Sequence, residues 1–359
     1  MTPVRPLLLA VGVFAWDQPL ADPVRHMAPH FLPAADVVFM APVRRSALAT
    51  RLRVDLAGRL DPAFWQLSQI AGAPAASAIA GWQVHRLLGD RPLVLYVNSY
   101  AAELGGELLA TLAPDRLIYD VYEHVVAPDS PLPAAHRQLW DAASVRVALN
   151  APVAAAMAPP AAHLILGAAV DASHFAAARA AQGPFAHAFA FVGNFANWVD
   201  FESLEAVARR FPTERLLLVG PCPPALASDL GRLRTFPNVT WQTQVPYADL
   251  PAILGSAEVL LLPRTTHPAA AASDPLKLYD YLATGRPVAA TPLPGVAGLP
   301  AGVVYWGESG SGFADACGQA LAERRTGASA ERAQLRIAVA EQRSWAQRAA
   351  AIWQAAARC

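Results

Sequence analysis

Short, wholly apolar runs alternate with longer stretches of helical periodicity along almost the entire chain. Runs that are apolar at every position and bounded by turn residues read as strands buried on both faces, the pattern of parallel sheets. The first half predicts strands near Leu7–Phe14, Val37–Ala41, Leu93–Val97, Leu117–Asp120, Val145–Leu149 and His163–Leu166. Helical periodicity falls near Val24–Phe31, Pro62–Gln69, Ala76–Leu88, Ala134–Ala142 and Pro152–Met157. The second half predicts strands at Ala188–Val192, Arg215–Val219, Val239–Gln242, Val259–Leu262, Val288–Ala290 and Val303–Tyr305, with helices between them. This alternation implies a doubly wound α/β architecture. Two Rossmann-like domains are expected, over 1–171 and 185–330, joined by an Ala-rich linker at 172–184. In such folds ligands bind at the carboxyl ends of the strands, so a cleft between the domains is the expected site. From Ala330 to Arg358 the pattern is one long helix, with Trp345, Ala349 and Trp353 on a shared face.

Composition narrows the class. Hydrophobic residues make up 54% and charged ones 16% of the 359 residues, which excludes a disordered chain. Lys+Arg and Asp+Glu balance at 28 each, so no global field favours nucleic acid and any anion site must be local. Three scattered cysteines argue against a disulfide framework and make a reducing cytoplasm the simpler expectation. The run RPLLLAVGVFAW is short, lacks a small-x-small cleavage site, and reads as a first buried strand. No segment reaches the roughly 20 apolar residues of a membrane span.

The stretch Ser273 to Pro292, SDPLKLYDYLATGRPVAATP, carries the most chemistry. Asp274 reads as an N-cap with Pro275 at the first helical position, and Leu276–Thr284 as the helix. Gly285 is placed to end it in a left-handed conformation, with Pro287 blocking resumption. A helix start carries free N–H groups and partial positive charge, and Lys277 adds a full charge there. Asp280 shares the Lys277 face, so a diphosphate would suit one and ribose hydroxyls the other. The alternative is a solvated surface face.

Set in order, the segments FVGNFANWVDFESL, LLLVGPCPP, VPYADLPAILGSAEVLLLP, DPLKLYDYLATGRPVAATPLPGV and SWAQRAAAIW resemble the GT-B glycosyltransferases. More narrowly, they resemble the bacterial teichuronic-acid and exopolysaccharide subgroup of group 1 (family 4-like) enzymes. The resemblance implies transfer of a sugar from a UDP- or GDP-sugar to a saccharide or lipid-linked acceptor in surface polysaccharide or glycolipid synthesis. It also implies that residues 331–359 return to the N-terminal domain. YDVYEHV resembles a segment whose acidic residue aligns with Glu123, making Glu123 the implied general base and Asp120 the fallback. PVRHMA resembles an acceptor-side segment through His26, and AVDASHF resembles an Asn-Gly-Val-Asp stretch with Ala168 and Ala169 in place of Asn and Gly. Many retaining members carry two Glu eight residues apart; here those positions are Ala272 and Asp280, which favours inversion.

The expected donor-binding residues are therefore Gly193, Asn194, Asn197, Val245, Ser273, Asp274, Leu276, Lys277 and Asp280, with Lys277 also assisting the departing diphosphate. Tyr122, His124 and His26 are the expected acceptor-side residues. No cofactor or metal is expected, since no Asp-x-Asp motif is present and the nucleotide-sugar is itself a substrate. The interleaved arginines Arg44, Arg45, Arg51 and Arg53 leave open a peripheral contact with an anionic membrane, against a solvated face. Trp65 and Trp82 suit either an acceptor sugar or a core. A nucleotide-sugar epimerase or hydrolase of the same architecture stays open, as does a catalytically degenerate binding protein. A dinucleotide dehydrogenase is disfavoured, because no G-x-G-x-x-G follows the first strand.

Overall fold

The computed structural model describes residues 4–13, 23–43, 58–61, 64–70, 84, 88–126, 131–157, 163–180, 185–327 and 330–359, with only the backbone for 41–43, 58–61 and 64–70. The chain divides into two units: Met1–Leu166 with Trp345–Cys359, and Gly167–Ser344. The strands of the first unit are β1 Leu7–Val11, β2 Asp36–Val43, β3 Gly58–Asp61, β4 Phe64–Ile70, β5 Leu93–Asn98, β6 Arg116–Val121, β7 Val145–Ala148 and β8 Leu164–Ile165. Those of the second are β9 His187–Val192, β10 Leu216–Val219, β11 Val239–Gln242, β12 Ala257–Leu262, β13 Val288–Ala290 and β14 Val304–Trp306.

The second unit is a six-stranded parallel sheet in the order β11-β10-β9-β12-β13-β14. Counted within the unit this is the Rossmann order 3-2-1-4-5-6, whose topological switch point lies between β9 and β12. Its inner strands β10, β9, β12 and β13 are almost wholly buried: Phe189, Phe191, Leu216, Leu218, Val259 and Leu261 pack with Leu204, Val207 and Phe313 from covering helices. The first unit repeats the plan as β3-β4-β2-β1-β5-β6-β7-β8, parallel except for the β3–β4 pair. Both units are thus α/β, as the alternation of runs predicted.

Three local expectations are corrected. Pro62–Gln69 is not helical: Phe64–Ile70 is strand β4, paired in parallel with β2 from Val37↔Phe64 to Val43↔Ile70. Phe64, Leu67 and Ile70 recur at a helix-like three-residue interval, but the open edge of β2 offers a ladder that local periodicity does not register. The tail is not one helix. It breaks into Ala330–Glu341 and Trp345–Ala356, because Val170 N donates to the Arg343 carbonyl (2.8 Å) and Val170 bridges Ser344 in extended backbone. Residues 172–180, expected as linker, belong to the second unit, where Arg179 Nε donates to the Ala283 carbonyl (2.8 Å). Most of Ala76–Leu88, Trp82, the Arg44–Arg53 segment and the Trp65 side chain lie outside the described residues.

The helix Ala102–Leu112 was not foreseen, its pattern diluted by Gly105 and Gly106. Gly105 is there for packing: a Cβ at that position would lie 2.4 Å from Val97 Cγ1 on β5. Gly105→Ala is therefore expected to lower stability in urea denaturation by about 1–2 kcal/mol, overpacking outweighing the helix-propensity gain of about 1 kcal/mol. A variant as stable as wild type would show that the helix can back away from the sheet.

Candidate active site

In the second unit, the chain leaves β9 at Val192 and turns at Gly193. Tyr281, on the helix Leu276–Ala283, clamps this strand end: its hydroxyl accepts from Val192 N (2.9 Å) and donates to the Val192 carbonyl (3.0 Å). Lys277 is one turn earlier on the same helix face, so the clamp sets its position against Gly193. A Cβ on Gly193 would fall 2.0 Å from Lys277 Nζ, and the residue has φ +148°, so only glycine fits. Gly220, ending β10, presses equally close to the Gly193 carbonyl, 2.0 Å from its own would-be Cβ. The Lys277 ammonium lies 5.2 Å from the centre of the Phe191 ring. The site thus stands at the carboxyl end of β9, at the switch point.

Lys277 keeps partial exposure, yet burial pushes its ammonium down to about 7, with the nearby Arg264 cation adding and Asp280 opposing. Burial likewise raises Asp280 to about 8, with Lys277 opposing and Asp171 adding. An amine and a carboxyl held near neutrality form a site with little charge of its own, ready to gain charge from a ligand. Arg264 was missed from sequence. It follows β12 beside the switch point, where its backbone N donates to Thr291 Oγ1 (2.7 Å) and its guanidinium stands 5.9 Å from the Trp198 ring. The available signal was its place directly after the run LLLP.

The helix start differs from expectation. Pro275, not Asp274, occupies the N-cap position, and it has no side-chain group with which to cap. Asp274 accepts from Ala168 N (2.9 Å) and the Tyr279 hydroxyl (2.6 Å) and pairs with Arg343 (3.4 Å). These bonds tie the AVDASHF stretch to the helix. Gly285 does end the helix, at φ +74°. Ser273 is fully buried and Leu276 half-buried beside this start, while Asn194 and Asn197 are exposed on the loop after Gly193. Val245 follows β11, two strands from β9, and no described contact joins it to Lys277.

In the first unit, Tyr122, Glu123 and His124 gather where β6 ends, with Glu123 half-buried at the start of a short turn Glu123–Val125. Asp120, the fallback base, is removed from consideration by burial. It is fully inaccessible, paired with Arg348 (2.6 Å), and accepts from the Tyr96 hydroxyl (2.6 Å). His26 stacks on Trp345 at 5.7 Å and packs the C-terminal helix; no described contact links it to Glu123. His124 stacks on Tyr100 at 4.4 Å, and burial together with His136 pushes it down to about 4, leaving it neutral near pH 7.

This geometry has known counterparts. Residues 186–323 match the family model described as glycosyl transferases group 1. The matched stretch contains Gly193, Arg264, Lys277 and Asp280. A Bacillus subtilis (strain 168) protein assigned to teichuronic acid biosynthesis as the glycosyltransferase TuaH is 28% identical over 124 residues, covering 34% of this chain and 31% of that protein. The matched part is thus about a third of that relative's length. Sucrose-phosphate synthase from Thermosynechococcus elongatus superposes with TM-score 0.71 at 16% identity, over 99% of each chain. Anabaena HepE, in complex with UDP and glucose, gives 0.70 at 12% identity over 99% of this chain and 100% of that one. A UDP-forming α,α-trehalose-phosphate synthase from Burkholderia xenovorans gives 0.70 at 13%, over 98% and 100%. The fold is that of the GT-B class. Among the described residues, no helix is long and apolar enough to cross a membrane.

Proposed function

We propose that the chain is a glycosyltransferase that moves a sugar from a UDP- or GDP-sugar to a saccharide or lipid-linked acceptor in bacterial surface polysaccharide or glycolipid synthesis. The observation that carries this is Lys277 held under Gly193 on the first turn of the helix Leu276–Ala283, at the switch point of a Rossmann sheet. Diphosphate oxygens would take the helix N–H groups, Lys277 and Arg264, and the ribose hydroxyls would reach Asp280. In the transfer, the acceptor oxygen bonds to the anomeric carbon as the bond from that carbon to the diphosphate oxygen breaks. Glu123 takes the acceptor's proton, and the charge left on the nucleoside diphosphate is met by Lys277. Inversion at the anomeric carbon follows from a single base, and no metal has a part in the proposal. Contact with an anionic membrane through Arg44–Arg53 belongs to the same proposal, as an aid to reaching a lipid-linked acceptor.

Thermal shift against a panel of UDP- and GDP-sugars tests the assignment, since a ligand of the native state raises its apparent stability. The best binder should then show a bell-shaped affinity against pH. From about 7 to about 8, the free site holds neutral Lys277 and neutral Asp280, and binding moves a proton between them with no net exchange. Above about 8, Asp280 is already ionised and binding must take up a proton at Lys277, so affinity falls as pH rises. Below about 7, Lys277 is already charged and binding must release a proton from Asp280, so affinity falls as pH drops. Each limb should approach tenfold per pH unit. Lys277→Met should remove the alkaline limb and Asp280→Asn the acid limb. A flat titration in wild type would rule out this pairing.

A further inference from the structure

We propose that Tyr100 is the platform on which the acceptor's pyranose ring stacks, an assignment that rests on the glycosyltransferase reading above and extends it to the acceptor. Tyr100 is 46% exposed although its ring is backed by other rings. It lies against His124 at 4.4 Å with planes 23° apart, and is tilted by 45° against Tyr122 at 5.8 Å. His124 is in turn edge-on to His136 at 5.6 Å, and His136 Nδ1 is hydrogen-bonded to the Tyr119 hydroxyl at 2.6 Å. The stack is anchored in the core of the first unit.

The backbone beneath it is equally fixed. β5 and β6 are parallel neighbours with Asn98 opposite Asp120, and their ends are laced by buried side chains. Asn98 Oδ1 accepts from Tyr100 N (3.0 Å), and Ser99 Oγ accepts from Tyr122 N (3.0 Å). An aromatic ring held this way loses little freedom when a ligand covers it. Its π face is electron-rich and attracts the slightly positive C–H bonds on one face of a pyranose. Tyr100 touches both Tyr122 and His124, the residues on either side of Glu123 in the chain, so a sugar stacked on its ring would be brought close to that residue. An apolar protein partner would want a broader patch than one ringed tyrosine beside a carboxylate. A neutral sugar suits the position better.

Saturation-transfer NMR on the full chain tests the platform, with methyl glycosides of glucose, galactose and mannose as probes. Wild type should transfer saturation chiefly to the ring C–H protons of one sugar face. Tyr100→Ala should weaken binding about tenfold, while Tyr100→Phe and Tyr100→Trp, which keep a ring, should retain it. Equal binding by Tyr100→Ala and wild type would overturn the proposal, and so would a wild type that binds none of the glycosides. Titration of wild type with UDP and with GDP separates the two levels: binding of either nucleotide without Tyr100-dependent sugar binding refutes the platform alone. Failure to bind both UDP and GDP refutes the glycosyltransferase reading.

Discussion

Replacing Lys277 by alanine is expected to lower kcat about 100- to 1000-fold, with a smaller rise in KM for the nucleotide-sugar. The asymmetry follows from when the charge appears. The bound diphosphate of the donor is already anionic, but the bond to the anomeric carbon places a further charge on the leaving oxygen only as it breaks. Lys277 therefore does more for the transition state than for the bound donor. Its position cannot be taken over by arginine. The ammonium lies 2.0 Å from where a Gly193 Cβ would be, and a longer arm ending in a planar, five-donor guanidinium would place its charge differently against that backbone. Lys277→Arg should thus resemble Lys277→Ala rather than wild type in steady-state kinetics. Wild-type turnover in either variant would show that Lys277 has no part in leaving-group departure.

Arg348→Met should destabilise the first unit by about 3–5 kcal/mol, because it strands the Asp120 carboxylate in a fully buried position. The guanidinium donates to Asp120 Oδ1 at 2.6 Å and also to the Leu166 carbonyl, and it covers the Tyr122 ring from 5.8 Å. Tyr96 alone would then face the charge. The double variant Asp120→Asn with Arg348→Met removes both charges and should recover most of the loss in guanidinium denaturation. If the single and double variants were equally unstable, the cost would come from lost packing rather than from a stranded charge. Since Asp120 is the penultimate residue of β6, two residues before Tyr122, the surviving activity of folded Arg348→Met also reports how firmly the Glu123 turn depends on this anchor.

Much of the donor half was legible because its signals are local. Gly193 after its apolar run, Lys277 and Asp280 one turn apart, and Gly285 as a stop are each marked by residues next to them in the chain. Asp274 was misread for the same reason: its position before Pro275 fits an N-cap, but its partners Ala168 and Arg343 lie far away in sequence. Arg264 escaped because nothing near it in the chain marks a switch point; strand order does. In the first unit, resemblance pointed to Glu123 within YDVYEHV and kept Asp120 as the fallback, and only the buried pairing of Asp120 with Arg348 removes the fallback.

The order of apolar runs and turn residues by itself determined two Rossmann-like units, the strand ends, and the helix that carries Lys277 and Asp280. Burial on both faces writes a parallel strand as a continuous apolar run, and a glycine that must turn sharply marks its end. Tertiary structure alone decided which carboxylates are available for chemistry. Asp120 meets Arg348 across 228 residues of sequence, and Tyr100 meets His124 and Tyr122 because β5 and β6 are neighbours in the sheet. Such pairings depend on sheet order and on where a returning helix docks, and no window of sequence contains both partners.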